Sequence, residues 1–196
     1  MQGRLIFLMG PSGSGKDSVI DAARGRLAAI PVEVVRRVIT RSAESIGEQA
    51  LGVSDERFAA MQFAGDFAMN WRANGHYYGI PADINQHLSD KRHVLVNGSR
   101  GYLPEARRLY PGLLPVLLGV DTDVLRRRLV GRGREGAEEI ELRLQRNERL
   151  REEARLWQAG EGDIELLDNS GSLEQAVDAL MALLARHGIS AAMDRT

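Results

Sequence analysis

The sequence predicts an α/β fold in which a parallel β-sheet is flanked by helices, and three observations carry that expectation. A short apolar run, Arg4 to Met9, ends at a glycine-rich stretch, Gly10 to Ser18, and is followed by a helical pattern from Asp17 to Ala29. Two further apolar, β-branched runs, His93 to Asn97 and Leu113 to Val120, are separated by a helical stretch around Pro104 to Tyr110. A last strand at Asp163 to Leu167 precedes a helix at Ser172 to Arg186. Strands that alternate with helices need crossover connections, which place neighbouring strands parallel.

Each element has its own local reason. In the first helix Val19, Ile20, Ala23 and Leu27 return at helical spacing, and Pro31 closes the segment. Val34 to Thr40 reads as one second strand. The polar stretch Arg41 to Leu51, a helix near Ser54 to Ala64, short strands with a turn at Asn74 and Gly75 within Ala68 to Ile80, and a helix at Ala82 to Ser89 together read as an insertion over about residues 41–90. Thr122 to Val130 and Glu138 to Trp157 are Arg-, Glu- and Leu-rich helices that flank Gly131 to Gly136, so a hinged lid is expected over about 131–143. In the final helix Leu173, Val177, Leu180, Leu183 and Leu184 share one face. The chain is read as one domain over 1–187 with a frayed tail over 188–196.

Composition narrows the class of function. With 196 residues, 43% hydrophobic and 27% charged, the chain can bury one sizeable core. Lys and Arg number 26 against 27 Asp and Glu, so the basic excess of a dedicated nucleic-acid or membrane-surface binder is absent and any anion site must be local. No cysteine is present, which removes disulfides, thiolate metal sites and thiol catalysis and agrees with a cytoplasmic location. No apolar run approaches the roughly 18 residues of a membrane span, and the N-terminal run is interrupted by Gly10 to Ser18.

Gly10 to Ser18 reads GPSGSGKDS, and its GxxxxGK core lies between the predicted strand and helix. Glycines let successive backbone N–H groups converge on phosphate oxygens, the helix start adds its positive end, and Lys16 supplies a mobile charge. This marks a P-loop NTPase fold and makes Gly10, Pro11, Ser12, Gly13, Ser14, Gly15, Lys16, Asp17 and Ser18 the candidate ATP-binding residues. The Ser or Thr usual after the lysine is Asp17 here, with Ser18 one place later. A carboxylate is a hard oxygen ligand suited to Mg²⁺, so Asp17 is the candidate metal residue; its alternative role is to complement the helix N-terminus.

The order of motifs resembles the guanylate kinase family across nearly the whole chain: GPSGSGKDS at Gly10, ITR ending at Arg41, GHYYG from Gly75 to Gly79, GRG from Gly131 to Gly133, and IELRL containing Arg143. The guanine-reading positions depart from that family. Its acceptor-phosphate tyrosine falls near Ala50, a second arginine near Glu44, its guanine-binding glutamate at Met69 or Asn70, and its acidic segment is replaced by LVNGSRG from Leu95 to Gly101. GPSGSGKDS, ITR, HYYG and VNGSR together look like the ribose 1,5-bisphosphate phosphokinase branch, which is associated with bacterial phosphonate breakdown.

That resemblance implies transfer of the ATP γ-phosphoryl group, with Mg²⁺ as cofactor, to the 1-phosphate of ribose 1,5-bisphosphate, giving 5-phospho-α-D-ribose 1-diphosphate and ADP. It assigns Lys16, Arg132 and Arg143 to catalysis and Arg41, Tyr78, Asn97, Ser99 and Arg100 to the acceptor, and it offers Asn169 in LDNSGSL as an adenine contact. The arginines have a plainer reading as solvated helix or salt-bridge residues, as Asn169 has as a turn residue. Tyr77 packs beneath the site or contributes to it, and His76 is a turn residue. A phosphate monoester has a second pKa near ~6, so its attacking oxygen is ionised at neutral pH and no protein base is demanded. Two readings compete: a guanylate or related nucleoside monophosphate kinase, and a noncatalytic interaction module of the same fold.

Overall fold

The computed structural model describes residues 3–40, 50–133, 136–159 and 163–191. In chain order β1 (Leu5–Met9) leads into α1 (Lys16–Ala28), then β2 (Val32–Val34), β3 (Arg37–Ile39) and β4 (Ala50–Gly52). Next come α2 (Asp55–Phe63), the hairpin β5 (Phe67–Ala73) and β6 (His76–Pro81), α3 (Ile84–Ser89) and β7 (His93–Asn97). A 3-10 turn at Arg100–Tyr102 runs into α4 (Leu103–Leu109), followed by β8 (Leu114–Gly119), α5 (Thr122–Arg132), α6 (Ala137–Ala159), β9 (Glu165–Asp168) and α7 (Leu173–Arg186).

Five strands form the main sheet in the order β2-β7-β1-β8-β9, and every pair in it is parallel. β1 lies at its centre and all five of its residues are buried. Side chains alternate across a strand, so Ile6 and Leu8 enter a core with α1 and α7, while Leu5, Phe7 and Met9 enter a second core on the other face with Ile84 of α3 and Leu103 and Ala106 of α4. Val19, Ile20, Ala23 and Leu27 are buried as their spacing predicts. Ser172 accepts from the Gln175 amide while the Gln175 side chain accepts from the Ser172 amide, a reciprocal cap that starts α7. Leu173 is the member of the expected α7 stripe that stays exposed.

The insertion builds a second, four-stranded sheet in the order β4-β3-β6-β5. Asn74 and Gly75 both have positive φ, 51° and 80°, the backbone that a two-residue hairpin turn needs to match strand twist. Met69 and Ile80 of this hairpin are buried in the same core as Leu5, Phe7 and Met9, which fixes the insertion against the main sheet.

Two expectations change. Val34 to Thr40 is not one strand: Val32–Val34 pairs with β7 in the main sheet, whereas Arg37–Ile39 pairs with β4 and β6 in the second. β-Branched residues recur through both pieces with no Gly, Pro, Asn or Asp between them, so no turn residue marks the change of sheet. The packed chain also continues past residue 187, because Ile189 is buried in the core with α1 and α7.

At the end of the main sheet away from the glycine loop, the Arg4 amide donates to His93 Nδ1 at 3.1 Å and Arg4 Nε donates to the Gly112 carbonyl at 2.8 Å. His187 Nε2 lies 2.8 Å from Glu165 Oε1. These contacts tie the starts of β1, β7 and β9 to the end of α7.

Candidate active site

The loop between β1 and α1 turns on glycine backbone that L side chains rarely adopt. Gly13 and Gly15 both have φ of 91°, and a Cβ on Gly15 would lie 2.6 Å from Asn169 Nδ2. The Ser14 amide donates to the Pro11 carbonyl at 3.1 Å, and Lys16 Nζ donates to the carbonyls of Gly10 at 2.8 Å and Pro11 at 3.1 Å. From behind, Asn169 Nδ2 donates to the Ser14 carbonyl at 2.6 Å, and Arg128 donates to the carbonyls of Ser14 at 3.3 Å and Asn169 at 2.9 Å. Burial lowers the pKa of Arg128, and the nearby charge of Arg132 adds to that.

In front of the loop lies a cleft of about 830 Å³. The loop and the start of α1 form one wall, β3 and the β5-β6 hairpin a second, the segment after β7 a third, and α5 with α6 the fourth. Its described lining carries six cations, Lys16, Arg37, Arg100, Arg132, Arg143 and Arg146, against one carboxylate, Asp17. So many cations with one acid give a strongly positive cavity, suited to polyanions. Arg143 Nη1 donates to Ser12 Oγ at 2.7 Å, which joins α6 to the loop.

The cleft gathers most of the residues named from sequence: loop residues 10–13 and 15–18, Tyr78, Ser99, Arg100, Arg132 and Arg143 all line it. Three face elsewhere. Ser14 is fully buried, and it is its carbonyl that Asn169 and Arg128 hold. Asn169 is 3% exposed and its amide donor is committed to the loop, so it braces the loop from behind. Asn97 is 6% exposed and lies beneath the cleft floor, where its Nδ2 donates to Asp17 Oδ1 at 2.7 Å. The correction has a simple cause: Asn97 is the last residue of β7, in a register that turns its side chain inward, and the cleft opens only at the following residues 98–101. Arg41 lies outside the described residues.

The hairpin separates the paired tyrosines. Tyr78 faces the cleft and stacks on Trp71, whereas Tyr77 lies on the other face, where it stacks on Phe58 with ring centres 5.5 Å apart. His76, expected only as a turn residue, opens β6 and lines the cleft. Sequence reasoning missed Arg37, Trp71 and Arg146. Arg146 follows Arg143 by three residues on a helix and so shares its face, a signal that was present. Arg37 stands two residues before the buried Ile39 and so on its side of the strand, where a cation is unusual.

Asp17 is the group through which a metal would be held. Asn97 fixes one of its carboxylate oxygens and Arg37 Nη2 lies 3.8 Å from the other. No cluster of three or more His, Cys, Asp or Glu able to hold a metal occurs among the described residues. One hard carboxylate at a phosphate site fits Mg²⁺, which is commonly bound through one or two carboxylates, water and substrate phosphates.

Comparison with known proteins decides the family. The chain is 57% identical over 184 residues to the ribose 1,5-bisphosphate phosphokinase PhnN of Pseudomonas paraeruginosa, covering 94% of this chain and 96% of that protein. It is 56% identical over 186 residues to the protein of the same name from Azotobacter vinelandii, covering 95% and 98%. The chain belongs to the ribose 1,5-bisphosphate phosphokinase family. No protein-family model matches it. Guanylate kinase from Anaplasma phagocytophilum has the same fold, with a TM-score of 0.67 at 16% identity over 95% of this chain and 86% of that one. Of the two residues where a guanine-binding glutamate was expected to fall, Met69 or Asn70, Met69 is 1% exposed and part of the core. No described helix is long and apolar enough to cross a membrane.

Proposed function

We propose that this chain transfers the γ-phosphoryl group of ATP to the 1-phosphate of ribose 1,5-bisphosphate, giving 5-phospho-α-D-ribose 1-diphosphate and ADP. The observation that carries the reading is the cleft itself: a phosphate loop faces five arginines across a cavity wide enough for two polyanions, in a chain 57% identical to a named ribose 1,5-bisphosphate phosphokinase.

An oxygen of the acceptor 1-phosphate attacks the γ-phosphorus, the new O–P bond forms, and the bond from the γ-phosphorus to the β,γ-bridging oxygen breaks in line to release ADP. The acceptor phosphate is ionised at neutral pH, so the chain's task is to align two anions and spread the developing charge. Lys16 would leave its loop carbonyls for the β- and γ-phosphates, with backbone N–H groups of residues 12–18 around them. Arg132 and Arg143 would close from the α5-α6 side, within a lid over about 131–143. Arg41 and Tyr78 from the insertion and Ser99 and Arg100 from the segment after β7 would hold the acceptor. Asp17 would hold Mg²⁺ directly or through water, and the ion would offset charge between the β- and γ-phosphates when bound. Asn97 orients the Asp17 carboxylate, and Asn169 holds the loop rather than the nucleotide. The neutral Ser99 and basic Arg100 suit a second sugar phosphate, and the buried Met69 offers a purine edge no acceptor.

The test is product identification after incubation with ATP and Mg²⁺ and either ribose 1,5-bisphosphate or GMP. The bisphosphate is expected to be the better acceptor by at least a hundredfold in kcat/KM, about what lost polar partners for a base would cost. Comparable turnover of GMP would replace this reading with a nucleoside monophosphate kinase.

A further inference from the structure

Arg37 occupies a position in the cleft that the catalytic assignments leave unused. It opens β3, its side chain is 11% exposed, and its guanidinium lies 5.4 Å from the centre of the Tyr78 ring. Tyr78 stacks on Trp71 with ring centres 5.6 Å and planes 5° apart, and Trp71 leans on Tyr102 at 5.3 Å. The result is a wall of three rings that ends in a guanidinium. At that end Arg37 approaches Asp17 at 3.8 Å, beyond hydrogen-bond length, while Asn97 holds the other Asp17 oxygen at 2.7 Å.

We infer that Arg37 is a ligand of the acceptor's 1-phosphate, the group that attacks ATP. The inference rests on the reading above that the acceptor is a sugar bisphosphate. Three features carry it. The Tyr78 ring lies 5.4 Å from the guanidinium of this largely buried side chain and limits its freedom, and a planar fork held in place matches two oxygens of one phosphate. Arg37 lies 3.8 Å from Asp17 in the first turn of α1, the helix that the phosphate loop opens, so it stands on the loop side of the cleft rather than at its far end. The rings beside it give the C–H faces of a furanose an apolar surface, which places the sugar along Trp71 and Tyr78 with its anomeric phosphate at Arg37.

A purely structural Arg37, one that only caps Tyr78 and offsets the charge of Asp17, makes a different prediction. The test therefore compares two ligands that differ by the 1-phosphate alone. Calorimetric binding of ribose 1,5-bisphosphate and ribose 5-phosphate is measured for the native chain, Arg37→Gln and Arg37→Lys, together with KM for ATP. In the native chain the bisphosphate is expected to bind more tightly. In Arg37→Gln that preference should fall roughly tenfold or more, with affinity for ribose 5-phosphate and KM for ATP within about twofold of native, as for one lost charge-assisted contact. Arg37→Lys, which keeps the charge without the fork, should fall between. Equal loss for both ligands, or none for either, overturns the assignment. Where Arg37→Gln does not fold, Arg37→Lys carries the same comparison. A native chain that neither binds nor phosphorylates the bisphosphate sinks the substrate reading instead; Arg37 is then judged with GMP, and unchanged GMP binding in Arg37→Gln overturns it.

Discussion

Three residues in and beside the loop illustrate how much one position decides. Lys16→Ala removes the mobile charge proposed for the transferring phosphate, and kcat should fall by roughly 10²–10³ or more with the far-ultraviolet spectrum unchanged; turnover near native would discard that role. Gly15→Ala forces a side chain into backbone at φ 91° and into Asn169, so ATP affinity should collapse in an otherwise folded protein. Asn97→Leu takes the hydrogen bond from the Asp17 carboxylate, and the Mg²⁺ concentration for half-maximal rate should rise roughly tenfold, the usual scale when the group orienting a metal ligand is lost. An unchanged magnesium titration would mean that Asp17 has no metal to hold. The motif letters made most of these residues visible in the sequence, since GxxxxGK needs its spacing to work. The direction of a side chain was not visible: Asn97 and Ser99 both stand in VNGSR, but the last residue of the strand turns inward and the turn after it faces the cleft.

Elements were legible where a single period governs them, as in α1 and α7, whose apolar spacing survives folding with one exposed exception, Leu173. They were not legible where one β-branched run without turn residues serves two sheets. β2 and β3 are separated by Val35 and Arg36, and only pairing partners on other segments divide them. The contacts among the starts of β1, β7 and β9 give this scale its own prediction. Burial, with Arg4 beside it, lowers the pKa of His93 from its usual 6.5, so the unfolded chain takes a proton that the folded chain refuses. That contribution is complete above pH 6.5 and is lost as pH falls from there through the lowered folded value. Glu165 has its pKa lowered from 4.5, first by its hydrogen bond with His187, so its contribution is complete above 4.5 and is lost as pH falls through its own folded value. The urea midpoint should hold level above neutrality and decline in two stages on acidification. His93→Leu should flatten the first stage; an equally steep decline in that variant would assign the acid loss to other groups.

For the molecule as a whole, nucleotide binding should register as stability. At a nucleotide concentration about a hundred times its Kd the folded state gains about 2.7 kcal/mol. In a chain of 196 residues that raises Tm by roughly 5–10 °C. A melting curve unmoved by ATP and Mg²⁺ would remove the nucleotide from the proposal. The overall architecture was readable because strand–helix alternation leaves few topologies open, whereas the end of the packed chain was misplaced because Gly188 looks like a stop and Ile189 packs all the same. Met69 and Ile80 share a core with Leu5, Phe7 and Met9, but the α5-α6 pair has a small cluster of its own around Leu125, Leu129, Ile140 and Leu144. Amide hydrogen exchange should therefore find the β5-β6 hairpin opening together with the central strands, and the paired arginine-bearing helices exchanging sooner, as an arm that can swing while the acceptor platform stays rigid.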